Sequence, residues 1–169
     1  MQENPNKLKS VLLGTLLITF ISTMPFLNIV NIFFCGGVIF GGYIASFNYY
    51  KQCVSSGVEV TTKDSVMIGI LSGFLSAIIV SVVSLLVTMF SGVNPAVEAQ
   101  EIMNSVFKDV PPEVQSEMNK ISEDYTKFGF SRLVAVFTLF TNLITFPIFS
   151  GFGGILSNVI MRRRDKKIG

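Results

Sequence analysis

The sequence predicts an all-α polytopic membrane protein. Four transmembrane helices pair as two hairpins, and a short extracytoplasmic amphipathic helical hairpin lies between helices 3 and 4. Three observations carry this expectation. Half of the 169 residues are apolar and only 14% are charged, against about a quarter charged in an ordinary soluble chain. No Asp, Glu, Lys or Arg occurs from Ser10 to Tyr50, from Ser65 to Val97, or from Leu133 to Met161. A hydrocarbon core of about 30 Å takes roughly 20 helical residues, so the first stretch is two spans long and the others hold one each. Helices of a soluble domain need a polar face, which these stretches lack.

The third observation is the placement of charge. Four spans return the chain to its starting side, where Lys7, Lys9, Lys51, Lys63, Arg162, Arg163, Arg164, Lys166 and Lys167 lie. The opposite side holds Lys108, Lys120, Lys127 and the boundary residue Arg132, among seven acids (Glu98, Glu101, Asp109, Glu113, Glu117, Glu123, Asp124). Basic residues near span ends are retained in the cytoplasm, so nine against four places both termini there.

Each element follows in order. Lys7 and Lys9 before an apolar run resemble a signal peptide, but the run passes Ile21-Ser22-Thr23-Met24-Pro25 without a small-x-small cleavage site and a second span follows at once, so it reads as a retained first helix, about residues 10–26. Pro25, Asn28 and Asn31 break the chain at the outer interface. Helix 2, about 32–50, ends on Tyr49-Tyr50-Lys51, an aromatic-plus-basic interfacial anchor. A short polar loop follows, and Thr62 or Asp64 is expected to cap helix 3, about 65–90. The outer insert, 94–127, starts on Asn94-Pro95, with Ala99, Ile102, Met103 and Val106 at helical spacing. Val110-Pro111-Pro112-Glu113 interrupts it and starts a second helix with Val114, Met118, Ile121 and Tyr125 in one stripe. Helices this short need a surface to dock on. Helix 4, about 131–161, is long enough to tilt, or to kink at Pro147. Ser10-Val11-Leu12-Leu13-Gly14 resembles Ser65-Val66-Met67-Ile68-Gly69, as two duplicated hairpins would, although apolar sequence matches itself readily.

Two sets of residues stand out inside the spans. Gly37-x-x-x-Gly41-x-x-x-Ala45 and Gly69-x-x-x-Gly73-x-x-x-Ala77, with Gly153-Gly154, have the small-residue spacing that lets helix backbones approach closely. They serve either packing within the bundle, which four helices in one chain favour, or a homodimer. Hydroxyls and amides also form stripes: Thr15, Thr19, Ser22 and Thr23; Ser72, Ser76, Ser84 and Thr88; Thr138, Thr141, Asn142 and Thr145. Thr15, Thr19, Ser72, Ser76, Thr141 and Asn142 are the candidates for a polar path between the hairpins. The competing reading is that such groups bond backbone or a neighbouring helix at about 1 kcal/mol or less each. Asn142 is singled out as the amide needing a buried partner.

The residues missing from the spans exclude much chemistry. There is no histidine, and no acid lies inside a span, so proton relays, zinc sites built on paired histidines and Ser-His or Cys-His nucleophiles have no parts. Cys35 and Cys53 lie 18 residues apart on one helix, about 27 Å at helical rise, too far to bridge. No cofactor, metal or nucleic-acid partner is expected. Arg162, Arg163, Arg164, Lys166 and Lys167 suit either anionic lipid head groups or a topology signal.

The layout resembles the uncharacterised four-helix integral membrane proteins of bacteria. The Tyr49-Tyr50-Lys51 helix end, the short loop into Ser65-Val66-Met67-Ile68-Gly69 and the amphipathic insert carry the resemblance. It covers most of the chain, without a diagnostic motif. It implies a bacterial plasma membrane and no substrate or catalytic residue. The expected function is therefore a non-catalytic scaffold or accessory subunit binding the bilayer and another membrane protein or a second copy. The competing expectation is a small transporter or channel subunit.

Overall fold

Long apolar runs with few breakers, far longer than a typical strand of about 5–6 residues, favour helix. In the computed structural model the described residues are 5–24, 35–92, 94–106 and 111–168, without side chains at 95, 98–100, 106 and 165–168; every regular element among them is an α-helix. These are α1 (Lys7–Thr23), α2 (Gly36–Ser55), α3 (Thr62–Ser91), α4 (Pro95–Val106), α5 (Pro112–Phe128) and α6 (Arg132–Ile168). The expected turn at Pro25–Asn31, the start of helix 2 at Ile32 and the break at Val110 lie outside the described residues.

Local chemistry sets the helix ends. Asn6 caps α1, its side chain accepting from the Lys9 amide at 3.1 Å. The residue that caps α3 is Thr61, neither Thr62 nor Asp64. Its hydroxyl accepts from the Asp64 amide at 3.1 Å, and the same hydroxyl donates to the Asp64 carboxylate at 2.6 Å. Both partners sit three residues apart, the spacing of a capping box, and the helix starts at Thr62, three residues before the expected residue 65. Asn94 caps α4 through Ala96 N at 3.1 Å, and its amide also donates to the Ser122 carbonyl of α5 at 3.2 Å. Gly129, at φ 75°, closes α5 by donating its amide to the Tyr125 carbonyl at 2.9 Å. That left-handed geometry is costly for any residue with a Cβ. α6 continues beyond Met161 because Arg162, Arg163 and Arg164 are good helix formers and nothing there breaks the chain.

Two of the helices, α3 over Thr62–Ser91 and α6 over Arg132–Arg164, are long and apolar enough to cross a membrane. The core helix of a soluble protein passes the same length test but is mostly buried. Here only 22% and 11% of the most apolar windows are buried. α1 has 17 residues, and much of the apolar lead-in to α2 lies outside the described residues. The first two expected spans therefore rest on the sequence.

The chain divides into two compact units, Met1–Val80 with Thr141–Gly169, and Ser81–Phe140. In the first, α1 packs along α2, and apolar cores form around Val11, Ala45, Tyr49, Cys53, Val60 and Ile68, and around Ile18, Val38, Ala77, Val80 and Phe146. Its interior is otherwise small and hydroxylated: Ser10, Ser46, Ser65, Ser72, Ser76 and Ser150 are all essentially inaccessible. Large apolar side chains face outward instead, among them Leu16 at 68% and Phe20 at 52% exposure. In the second unit α4 and α5 pack on each other, and α5 buries none of its residues fully.

Candidate functional site

The glycines of the first unit sit where helix backbones touch. A Cβ on Gly42 would run into the Ser150 carbonyl, one on Gly69 into the same carbonyl, and one on Gly73 into the Phe146 carbonyl. Gly153 faces the Ile39 carbonyl, Gly154 the Ser65 carbonyl, and Gly41 the side chain of Ile18. Gly37 is buried in α2. These glycine contacts are made by the chain's own helices, so the faces at Gly41, Gly69, Gly73, Gly153 and Gly154 are occupied within one molecule. Gly14, which the sequence reading passes over, belongs with them. Its Cβ position lies 2.8 Å from Ser72 Oγ. Ser10, Gly14 and Ile18 at intervals of four are the signal that would have found it.

The hydroxyls expected to line a path divide. Thr15, Ser72 and Ser76 come together between α1 and α3. Ser72 donates to the Ile68 carbonyl at 2.8 Å and the Val11 carbonyl at 3.2 Å; Ser76 donates to the Ser72 carbonyl at 2.6 Å and the Thr15 carbonyl at 3.3 Å. Thr15 donates back to the Ser72 carbonyl at 3.4 Å. Hydroxyls bound this way spend their proton on tying two backbones together, and all three residues are buried. Thr19 Oγ1 is buried without a partner among the described residues. Thr141 is exposed and Asn142 half-buried, whereas Thr15, Ser72 and Ser76 are buried. Among the described residues, Asn158 is the amide side chain that is fully buried. Its Nδ2 donates to Ser65 Oγ at 3.1 Å, and its Oδ1 accepts from Thr62 at 3.3 Å. Ser150, Gly154 and Asn158 at intervals of four carry its signal in the sequence.

At one end of this unit charged groups close the helix ends together. Lys7 Nζ bonds Asp64 at 2.6 Å, and the Asn6 amide donates to Gln52 at 2.8 Å. That lysine bond, helped by the Thr61 hydroxyl, holds the Asp64 carboxyl below its ordinary range. Arg162 donates to the Val60 carbonyl at 2.8 Å. Arg163 and Arg164 are exposed; the side chains of Lys166 and Lys167 lie outside the described residues.

The second unit contains a cavity of about 200 Å³ among α3, α5 and α6. Six hydroxyl residues line it: Ser81, Ser84, Thr88, Tyr125, Ser131 and Thr138. Leu85, Phe130, Val134 and Ala135 supply apolar wall, and no charged side chain lines it. Thr88 donates to the Ser84 carbonyl at 2.9 Å, and Ser131 to the Asp124 carboxylate at 3.2 Å. The Ser84, Thr138 and Tyr125 hydroxyls make no side-chain hydrogen bond among the described residues. Burial pushes the Tyr125 phenol above its ordinary range, since the ionised form would lose its water. Ser84, Thr88 and Thr138 belong to the hydroxyl stripes read from the sequence; Tyr125 and Ser131 do not, because they reach the cavity from α5 and from the turn before α6.

Comparison with protein-family models, with curated proteins and with solved structures finds no match to this chain.

Proposed function

We propose that this chain is a non-catalytic four-span protein of a bacterial plasma membrane, with both termini cytoplasmic, whose outer segment binds another membrane component. The membrane reading is supported by the reversal of the usual burial pattern. Serine and glycine make up much of the interior beside its apolar cores, while Leu16, Phe20, Phe137 and Phe140 lie exposed, as lipid permits. The orientation is supported by charge. The α1, α3 and α6 ends joined through Lys7–Asp64 and Arg162–Val60 are those carrying most of the nine basic residues counted above. Arg163 and Arg164, with Lys166 and Lys167 beyond, suit anionic head groups on that side.

The observation that carries the binding role is the apolar surface left open on the two short helices. Ile102 is 64% and Val114 42% exposed, on helices too short to hold an unpartnered apolar face in water at no cost. A transport path between the hairpins has less support, because Thr15, Ser72 and Ser76 spend their hydroxyls on backbone carbonyls.

Two measurements test this reading. In a background with Cys35 and Cys53 replaced, Ser105→Cys is expected to react with a membrane-impermeant maleimide in intact cells. Ser55→Cys is expected to react only after permeabilisation, and the reverse pattern refutes the orientation. Deleting residues 95–126 is expected to abolish crosslinked capture of a membrane partner while the remaining spans still insert. Capture that survives the deletion overturns the binding role.

A further inference from the structure

We propose that the hydroxyl-lined cavity of the second unit is a binding site for an uncharged polyhydroxylated group the size of glycerol or a single sugar ring. The inference goes beyond the scaffold reading and stands on the second unit's own geometry. Three features select the ligand. No charged side chain lines the cavity, and the Asp124 carboxylate behind its wall already accepts from Ser131 at 3.2 Å, so an anion entering it would lose hydration without a counter-charge, which disfavours phosphates and carboxylates. Ser84, Thr138 and Tyr125 present hydroxyls that the described residues leave unpartnered, and a hydroxyl both donates and accepts. A ligand that is itself a set of hydroxyls matches such a wall without needing fixed donors on one side. Leu85, Phe130 and Val134 offer apolar wall against which the carbon face of a polyol packs. The size is restrictive as well. The cavity volume is about 200 Å³. It falls below the range of about 300–1,000 Å³ usual for drug-sized ligands, which favours a small group.

The same chemistry occurs as a free polyol or as the glycosyl head group of a lipid, and only the second source depends on the membrane reading. The full-length protein in phosphatidylcholine nanodiscs distinguishes them. Methyl glucoside and glycerol are titrated with saturation-transfer NMR as readout, and nanodiscs containing monoglucosyl diacylglycerol are examined by native mass spectrometry. Saturable binding is expected in at least one arm. It should fall about tenfold for each hydroxyl removed in Ser84→Ala and Thr138→Val, and remain unchanged in Thr141→Val, which lies outside the cavity. Binding of the lipid but neither free compound assigns the head group; binding of the free compounds assigns a soluble polyol. Ala135→Leu, which fills the cavity without removing a hydroxyl, is expected to abolish binding and serves if a hydroxyl variant fails to fold. Absence of saturable binding in both arms means that water alone occupies the cavity and overturns the proposal. So does binding that survives Ala135→Leu.

Discussion

Gly153→Val is expected to abolish folding of the first unit, and Gly153→Ala to destabilise it severely. A Cβ at this position would run into the Ile39 carbonyl, with the Tyr43 amide nitrogen 2.7 Å away. Both obstacles are backbone inside α2, so neither can rotate aside as a side chain would. The only relief is to push α2 and α6 apart, which strips the contacts on either side of the crossing. Overpacked cores lose about 1–3 kcal/mol when neighbours can yield. Here they cannot, and a loss at or above the top of that range is a large part of the roughly 5–15 kcal/mol that holds a typical domain folded. Gly151 supplies the contrast from the same helix. Its Cβ would meet only Ile70 Cγ1 at 3.1 Å and Cδ1 at 3.8 Å, the movable part of a side chain. Gly151→Ala also gains about 1 kcal/mol of helix propensity, so it should be neutral or mildly stabilising. Thermal unfolding of the purified variants in detergent separates the two. If Gly153→Ala melts with the parent protein, the close crossing of α2 and α6 is wrong.

The second large effect is expected at Asn158. Its side chain is 2% exposed and joins α6 to the start of α3 through Ser65 and Thr62. Asn158→Ala removes both bonds, leaves the Ser65 hydroxyl without this donor, and opens a void at a crossing otherwise filled by Gly154 and Ser65. Interhelical hydrogen bonds between membrane helices average about 0.6 kcal/mol each, and stranding a buried polar group costs about 1–3 kcal/mol. A loss of about 2 kcal/mol follows. Asn158→Leu restores volume but not the bonds, and should recover only part of it. Asn142→Ala should cost less, about 1 kcal/mol or below, because Asn142 is half-exposed. Unfolding midpoints of the three variants decide the matter; equal losses at Asn142 and Asn158 would remove the special role assigned to the latter.

Those two positions show how far the sequence could be read. That some amide and some glycines must pack between helices was legible, because small and polar residues inside apolar runs have few other uses. Which amide is buried most deeply was not. Asn142 and Asn158 lie on the same helix, and neither carries a local mark of its partner, since Ser65 and Thr62 are more than ninety residues away from Asn158. Gly14 was missed for a related reason. It has no glycine four residues away, and its partners Ala45 and Ser72 come from two other helices. The cap of α3 was expected at Thr62 or Asp64 and lies at Thr61, because the two threonines are chemically identical and only the reach of the Asp64 amide to the Thr61 hydroxyl chooses between them.

What the sequence determined by itself is the all-helical class, two helices long and apolar enough to cross a membrane, and a short helical segment between them. Each depends on quantities that accumulate along the chain: apolar length, helix propensity and the position of breakers. The tertiary structure alone decided which faces meet. In a soluble helix the apolar stripe announces the buried side. α3 and much of α6 are apolar nearly all round, so the side facing other helices and the side facing outward read alike. The difference between them is made by Gly, Ser and Asn meeting specific backbone carbonyls on other helices. Because such pairings are fixed by non-local geometry, the closed hydroxyls of the first unit and the open ones of the cavity could be told apart only once the chain had folded.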